Sequence, residues 1–293
     1  MGINIRTITD IRLFIREELN ETYPENEIRA LTNIILRKVF ATHDLHTLTD
    51  AGAPVTPEKV HKITSVCEEL KKGKPVQYIL GETEFYNCLI TVNSETLIPR
   101  PETEELVDMV IKENRGFTGN ILDVGTGSGC IAISLAINLP GTNVTGIDIS
   151  EGAVEVAKKN AGINNASVSF YRADILSPDL ILPGNTGIIV SNPPYIRELE
   201  KPLTGKNVIG FEPHSALFVP DSDPLVYYRA ILEKSELILN RDGKIYFEIN
   251  EAFGNPMADL MLSFGYKEVE IVKDLNGKDR IMKGIKNGRK QYI

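Results

Sequence analysis

The sequence predicts an α/β protein, in which a mostly parallel sheet is covered by helices on both faces and a small all-helical domain precedes it. Three observations predict this. Apolar residues recur at three- and four-residue steps through the first seventy-odd positions. From Asn120 onward, seven short, near-continuous apolar runs alternate with helical stretches, the pattern of a parallel sheet buried on both sides. The 293 residues, 42% of them hydrophobic, suffice for one large core and one small one.

Ile8, Ile11, Ile15 and Leu19 fall on one helical face. After Pro24, a second face carries Ile28, Leu31, Ile35 and Val39. Thr56 and Pro57 read as the cap and first turn of a third helix, with Val60, Ile63, Cys67 and Leu70 on its stripe. These stripes are expected to form the domain's own core. Tyr78–Leu80, Glu84–Tyr86 and Leu89–Val92 read as short extended runs separated by Gly81 and Asn87, a hairpin linking two domains. Pro99 and Pro101 break the chain. A helix follows from about Glu102, with Glu102, Glu104 and Glu105 in a first turn where the helix dipole favours acids. The expected strands are Asn120–Val124, Asn143–Asp148, Ser167–Tyr171, Gly187–Ser191, Lys244–Ile249, Glu268–Val272 and Arg280–Lys286, with helices starting near Ser128, Ser150, Pro224 and Asn255. The expected domains are 1–75 (helical), 76–98 (hairpin linker) and 99–293 (the sheet domain).

Composition narrows the function classes. A net charge of −8 counts against a protein that grips duplex nucleic acid through its phosphates. Cys67, Cys88 and Cys130 are widely spaced and odd in number, and His43, His46, His61 and His214 form no ligand pattern. A reduced, cytoplasmic protein with no metal is therefore expected. The opening MGINIRTITDIRLF lacks the apolar core of a signal peptide, and Gly2 is followed by Arg6 where a myristoylation signal has Ser or Thr. No stretch is long and apolar enough to span a bilayer.

Four motifs fall at the carboxyl ends of the expected strands, where ligands bind in such sheets. In ILDVGTGSGC, a strand ending at Val124 leads through Gly125, Gly127 and Gly129 into a helix. The spacing is GxGxG, with Thr126 and Ser128 between the glycines, and so is neither the GxGxxG of dinucleotide folds nor a P-loop. Asp123, just before the glycines, would repel a pyrophosphate but suits an ammonium group. An ordinary tight turn is the competing reading. Asp148 ends the next strand, 21 residues after Gly127, where an acid can accept from both ribose hydroxyls; the alternative, a helix N-cap, is better filled by Ser150. Asp174, in YRADIL, can sit beside an adenine or serve as a loop cap. Together the three acids describe a nucleoside without phosphates and with a positive side chain, the form of S-adenosylmethionine.

The fourth motif is SNPPYI, at the end of the fourth strand. Consecutive prolines cannot continue a sheet ladder and hold the exit stiff. A carboxamide or ring-conjugated NH2 is a poor nucleophile. If Asn192 Oδ1 and the Pro193 carbonyl each accept one of its hydrogens, the nitrogen is oriented and gains electron density. Tyr195 can cover the flat group, while Pro193 and Pro194 keep the acceptors from moving. A proline-rich turn with no ligand is the competing reading.

With these motifs in place, the sequence resembles Rossmann-like class I S-adenosylmethionine-dependent methyltransferases of the NPPY type. More narrowly it resembles the HemK/PrmC family of protein-glutamine methyltransferases that act on the GGQ loop of peptide chain release factors. The resemblance runs through GKPVQYILGETEFY, LIPRPETEELV, DVGTGSGCIAISLA, SNPPYI, GFEPHSALFV and DLNGKDR, nearly the whole chain. It implies S-adenosylmethionine as cofactor and S-adenosylhomocysteine as product, with Gly125–Gly129 around the methionine part and Asp148 on the ribose. Ile175 stands where relatives often carry an aromatic beside the adenine. Asn192 to Tyr195 would hold the glutamine, and Arg100, Thr103 and Glu104 would wall the site. The helical domain would recognise the substrate protein, acting as a monomer, with neither membrane nor nucleic acid as partner. Asn250 replaces a frequent Gly, and His214 has no explanation in this pattern.

Three rivals remain at this stage. An exocyclic-amine methyltransferase acting on adenine N6 or cytosine N4 of DNA or RNA would use the same Asn-Pro-Pro-Tyr on a flipped base. It predicts a basic groove, which the charge does not favour. A nucleoside-binding sensor predicts decay of the acceptor motif, yet Asn192 and Tyr195 are intact. An NAD-type dehydrogenase is opposed by Asp123 and the glycine spacing.

Overall fold

The computed structural model describes residues 5–40, 52–182 and 184–287; the readings made on Gly2, His43 and His46 lie outside these. Two compact units result, one comprising Met1–Gly81 with Lys206–Phe211 and the other Glu82–Gly205 with Glu212–Ile293.

In the first unit, α1 (Ile8–Leu19), α2 (Glu25–Phe40), α3 (Pro57–Lys71) and α4 (Val76–Leu80) pack together. Thr7 opens α1 with a capping box: its hydroxyl accepts from the Asp10 amide at 3.2 Å, and the Asp10 carboxylate accepts from the Thr7 amide at 2.9 Å. Thr56 caps α3, with Pro57 in the first turn. Ile8, Ile11, Ile15, Leu19, Ile28, Ile35, Ile63 and Leu70 are all buried in one cluster. Each stabilises the unit by roughly 1.5–3 kcal/mol relative to exposure.

One expectation fails here. Tyr78–Leu80 is not extended but lies in the short helix α4. Pro75 precedes the first turn, and its carbonyl accepts from the Ile79 amide at 3.1 Å. Gly81 ends the helix with φ of 77°. A short apolar run has no readable period, and the proline-before, glycine-after flanks were the better guide.

The second unit begins with the hairpin β1 (Glu82–Phe85) and β2 (Cys88–Thr91). Its two-residue turn puts Tyr86 and Asn87 at φ of 44° and 62°, the positive values that a tight hairpin with natural twist requires. Asn160 and Asn164 of a later helix hold the hairpin by its backbone: Asn160 bonds both polar groups of Thr91, at 2.8 and 3.0 Å, and Asn164 those of Leu89.

After α5 (Pro101–Glu113) come β3 (Asn120–Val124), α6 (Cys130–Asn138), β4 (Asn143–Asp148), α7 (Glu151–Ile163), β5 (Val168–Arg172) and β6 (Thr186–Ser191). Two short strands follow, β7 (Ile196–Arg197) and β8 (Phe218–Val219), with α8 (Lys206–Phe211) between them in sequence. The chain ends with α9 (Val226–Ile238), β9 (Leu239–Glu248), α10 (Gly254–Ser263), β10 (Tyr266–Lys273) and β11 (Asp279–Lys286). The seven-stranded sheet has the order β10-β11-β9-β6-β3-β4-β5. β5, β4, β3, β6 and β9 are parallel, whereas β11 runs antiparallel to both its neighbours. From β3 the chain winds outward through β4 and β5, then returns to lay β6 on the other side of β3. That reversal between β3 and β6 opens a crevice beyond their carboxyl ends, where open α/β sheets bind ligands. The core sits between sheet and helices and includes Leu122, Val124, Ile147, Ile189, Ile231, Leu232, Phe247 and Met257. Among the described residues, no helix is long and apolar enough to cross a membrane.

Candidate active site

A cavity occupies the crevice. Its walls include Gly125, Thr126, Gly127 and Ser128 after β3, Asp148 after β4, Asp174 and Ile175 after β5, and Asn192, Pro193 and Pro194 after β6. Arg100 and Thr103 also line it. Of the sequence-predicted residues, Asp123, Gly129, Tyr195 and Glu104 are not in the wall.

Backbone bonds fix the glycine turn. The Gly125 and Thr126 amides both donate to the Ile147 carbonyl at 2.9 Å, and the Gly129 amide donates to Thr126 O at 2.8 Å. A side chain at Gly127 would meet no atom within 4 Å, so this part of the loop faces open space that a ligand could fill. Gly129 has a different duty. With φ of 81°, its missing Cβ would come within 3.0 Å of Ala157 Cβ and Phe170 Cζ. It lets α6 approach α7 and β5 and does not wrap the cavity, contrary to the expectation from its motif.

Asp123 lies fully buried behind the turn. Its Oδ2 accepts from the Thr126 hydroxyl at 2.6 Å, while Oδ1 has no hydrogen-bond partner. Burial pushes its carboxyl up to about 7, against the pull of the Thr126 hydroxyl. Ser128 Oγ is likewise buried and unpartnered, and Ser128 does line the cavity. Unsatisfied buried polar atoms are uncommon, and of these two Ser128 Oγ stands at the cavity wall, where a polar ligand could satisfy it.

Asp148 accepts from the Gly127 amide and the Ser150 amide, both at 2.9 Å, one on each oxygen. Each oxygen keeps a second lone pair for a ligand. Ser150 caps α7, accepting from the Ala153 amide at 3.1 Å, so Asp148 is not the cap. Asp174 Oδ1 accepts from the Leu176 amide at 2.9 Å and shapes its own loop. Ile175 is buried in the core and offers an aliphatic wall. An aromatic ring, Tyr227 on α9, lines the same cavity. Burial, then the nearby Asp174 charge, raises its phenol above the ordinary tyrosine value.

At the end of β6, the Ser191 hydroxyl ties the strand to β3 through Val124 O at 2.6 Å. Asn192 Nδ2 donates to Thr103 Oγ1 at 3.1 Å, and the Thr103 hydroxyl in turn donates to Glu248 Oε2 at 2.6 Å. The Tyr195 hydroxyl donates to Glu248 Oε1 at 3.0 Å. Tyr195 is thus turned toward the core; it does not cover the cavity. Burial drives its phenol upward, with the Glu248 charge adding to the effect. Glu248 itself is fully buried at the end of β9, and burial raises its carboxyl above the usual range. Sequence reasoning passed over Glu248 and Tyr227. The acid closing the apolar run KIYFE was a legible signal for the first.

Arg100 lines the cavity with its guanidinium on buried Glu212, whose other oxygen accepts from the Ile98 amide at 3.1 Å. Glu104 points elsewhere: its carboxylate accepts from the Tyr86 amide at 2.8 Å and holds the strained hairpin turn. The helical period puts it on a different face from Thr103. The segment after Glu212 pairs with the chain leaving the NPPY motif, β7 against β8, with the Ile196 amide on Leu217 O at 3.0 Å. His214 packs edge-on against Phe218 at 5.4 Å. Asn250 caps the turn that follows Glu248 and donates to the Tyr195 carbonyl at 3.3 Å, a tie that glycine could not make.

Comparison with known proteins agrees with this architecture. Residues 102–209 match the family described as the methyltransferase small domain, and residues 11–81 the PrmC N-terminal domain. The chain is 43% identical over 272 residues to a release factor glutamine methyltransferase of Bacteroides thetaiotaomicron, covering 93% of this chain and 98% of the relative. It is 42% identical over 280 residues to one from Flavobacterium psychrophilum, covering 94% and 98%. A solved methyltransferase from Pyrococcus furiosus shares the fold, with a TM-score of 0.50 at 18% identity over 80% of this chain and 100% of that one.

Proposed function

Since the chain belongs to the family of release factor glutamine methyltransferases, we propose that it methylates the side-chain nitrogen (N5) of the glutamine in the GGQ motif of peptide chain release factors. The methyl donor is S-adenosylmethionine. The observation that carries the reading is the orientation of Asn192. Its NH2 is committed to Thr103, so its Oδ1 is the end left to accept from a substrate amide.

The cavity's donor set fits the cofactor. Ser128 Oγ, at the wall, is buried without a partner, Asp148 keeps a free lone pair on each oxygen, and the space beside Gly127 is open. Ser128 would hold the amino acid end, with Asp123 behind the turn acting on its ammonium through charge and not contact, Asp148 the ribose, and Asp174, Ile175 and Tyr227 the base. When bound, the cofactor supplies an electrophilic methyl on a sulfonium.

The protein's task is alignment. Asn192 Oδ1 and the Pro193 carbonyl accept the two hydrogens of the glutamine NH2, hold the nitrogen in line and enrich its lone pair. Pro193 and Pro194 limit backbone movement at that point. Arg100, fixed by Glu212, forms part of the wall. No strong base is needed, because a proton can leave after transfer.

Incubation with labelled S-adenosylmethionine, purified release factor and DNA, followed by mapping of the label, tests the substrate. Label on the GGQ glutamine is expected; label on an adenine or cytosine amine would replace the reading. The helical domain is assigned to recognition of the release factor away from its loop. Deletion of residues 1–75 is expected to weaken methylation of whole release factor far more than that of a short GGQ peptide, and equal losses would remove this assignment.

A further inference from the structure

We infer that Glu248 is a positioning residue for the transfer, fixing through Thr103 which end of the Asn192 carboxamide faces the substrate. This rests on the reading of Asn192 as an acceptor. A carboxamide can be seated two ways, with oxygen and NH2 exchanged, and only one of them serves an amide substrate. The cavity side of Asn192 does not decide between them; the buried side does.

Thr103 has one hydroxyl proton. That proton goes to Glu248 Oε2 at 2.6 Å, so only lone pairs of Thr103 Oγ1 remain for Asn192. The partner 3.1 Å away must then be a donor, and Asn192 must present its NH2 inward and its oxygen outward. Both oxygens of Glu248 accept from hydroxyls, one of them that of Thr103, so Glu248 sets the direction of the whole chain of bonds. The second oxygen of Glu248 is held by the Tyr195 hydroxyl at 3.0 Å, and Arg280 adds a favourable charge. Thr103 and Glu248 are both almost completely buried, so water does not compete for these bonds. The residues come from α5, β6 and β9, and the sequence gives no local hint that they meet. Glu248 touches neither expected ligand, and its effect passes through Thr103.

The test compares Thr103→Val, Thr103→Ser and Glu248→Gln. Valine keeps the shape of threonine and removes the hydroxyl. Glutamine keeps the shape of glutamate but can donate as well as accept, so the direction is no longer imposed. Turnover at saturating release factor is expected to fall by roughly tenfold or more in Thr103→Val and Glu248→Gln, the scale for loosening one preorganised contact. KM for release factor should change by less than about threefold, because ground-state binding is untouched. Thr103→Ser should retain most of the turnover. A second readout uses the substrate-free protein: the side-chain amide NMR signals of Asn192, assigned by their loss in Asn192→Asp. They should shift and exchange faster with solvent in Thr103→Val and Glu248→Gln, and stay in place in Thr103→Ser. Asn192 signals in both disruptive variants that superimpose on those of the unmodified protein would overturn the inference. So would a serine variant as slow as the valine one. A protein that never methylates glutamine would instead sink the substrate reading, while the NMR comparison still decides the relay.

Discussion

Glu212 and Arg100, 112 residues apart, meet at the wall of the cavity: the buried carboxylate receives the guanidinium on one oxygen and the Ile98 amide on the other. The two motifs LIPRPETE and GFEPHSALFV are therefore halves of one structural feature. Glu212→Ala leaves a backbone amide and a cation without their acceptor. Such a loss costs about 2 kcal/mol of stability, measurable by urea denaturation, and should weaken cofactor binding several-fold through the loosened wall. A variant as stable as the parent with undisturbed binding would show that the pair is incidental.

Asp123 should make cofactor binding pH-dependent. In the free protein its carboxyl sits at about 7, well above its ordinary 3.8. The unfolded chain thus releases this proton first as pH rises. Its contribution to stability is full below about 4 and is lost as pH passes through about 7. An ammonium group bound on the cavity side of the turn favours the ionised form, so binding should tighten over the same interval, by up to roughly tenfold between pH 6 and pH 8. Calorimetric titration of S-adenosylhomocysteine across that range measures it. Asp123→Asn should bind more weakly at pH 8 and lose the slope; an equal slope in the variant would assign the titration to another group.

The second and third glycines of GTGSG, Gly127 and Gly129, look alike in sequence but serve different ends. Gly129→Ala should destabilise the fold by about 2 kcal/mol or more, from the left-handed backbone and the crowding against Ala157 and Phe170. Gly127→Ala has open space beside it and should carry mainly the backbone cost of about 1 kcal/mol, with the larger effect on cofactor affinity. Denaturation midpoints and S-adenosylhomocysteine titrations of the two variants separate these roles. Equal stability losses would mean that the packing argument is wrong.

Much of this was legible beforehand. The stripes of α1 to α3 (except Val60, which stays half-buried outside the cluster), the caps at Thr56 and Ser150, the alternation of strands and helices and the cavity-facing turns after β3 and β6 all follow local rules of period and capping. The failures share a cause. Glu104, Gly129 and Tyr195 belong to the right motifs, but the role of each is set by partners distant in sequence: Tyr86 and Glu248 turn the two side chains away, and Phe170 crowds the space where a Cβ of residue 129 would stand. Tyr227 was invisible as a site residue because it belongs to no motif, and Glu248 offered only the weak signal of an acid closing the apolar run KIYFE. The helix at Val76–Leu80 was too short for its period to be read.

Tyr227 offers a direct check on where the base sits. Tyr227→Ala should weaken binding of S-adenosylhomocysteine by about tenfold or more, since stacking of a base on an aromatic ring contributes roughly 1–3 kcal/mol. Tyr227→Phe should bind nearly as well as the parent, because the ring face is kept. Alanine and parent proteins with matching affinity in calorimetry would place the adenine away from α9.

The central claim is that the Asn192 oxygen, turned outward by its inner bond to Thr103, aligns a substrate amide. The most direct test is single-turnover methylation of intact release factor by Asn192→Ala with cofactor bound at saturation. The account predicts a rate about 100-fold or more below that of the parent, with S-adenosylmethionine affinity nearly unchanged. A rate within about twofold of the parent, for a variant that folds and binds cofactor normally, would contradict it.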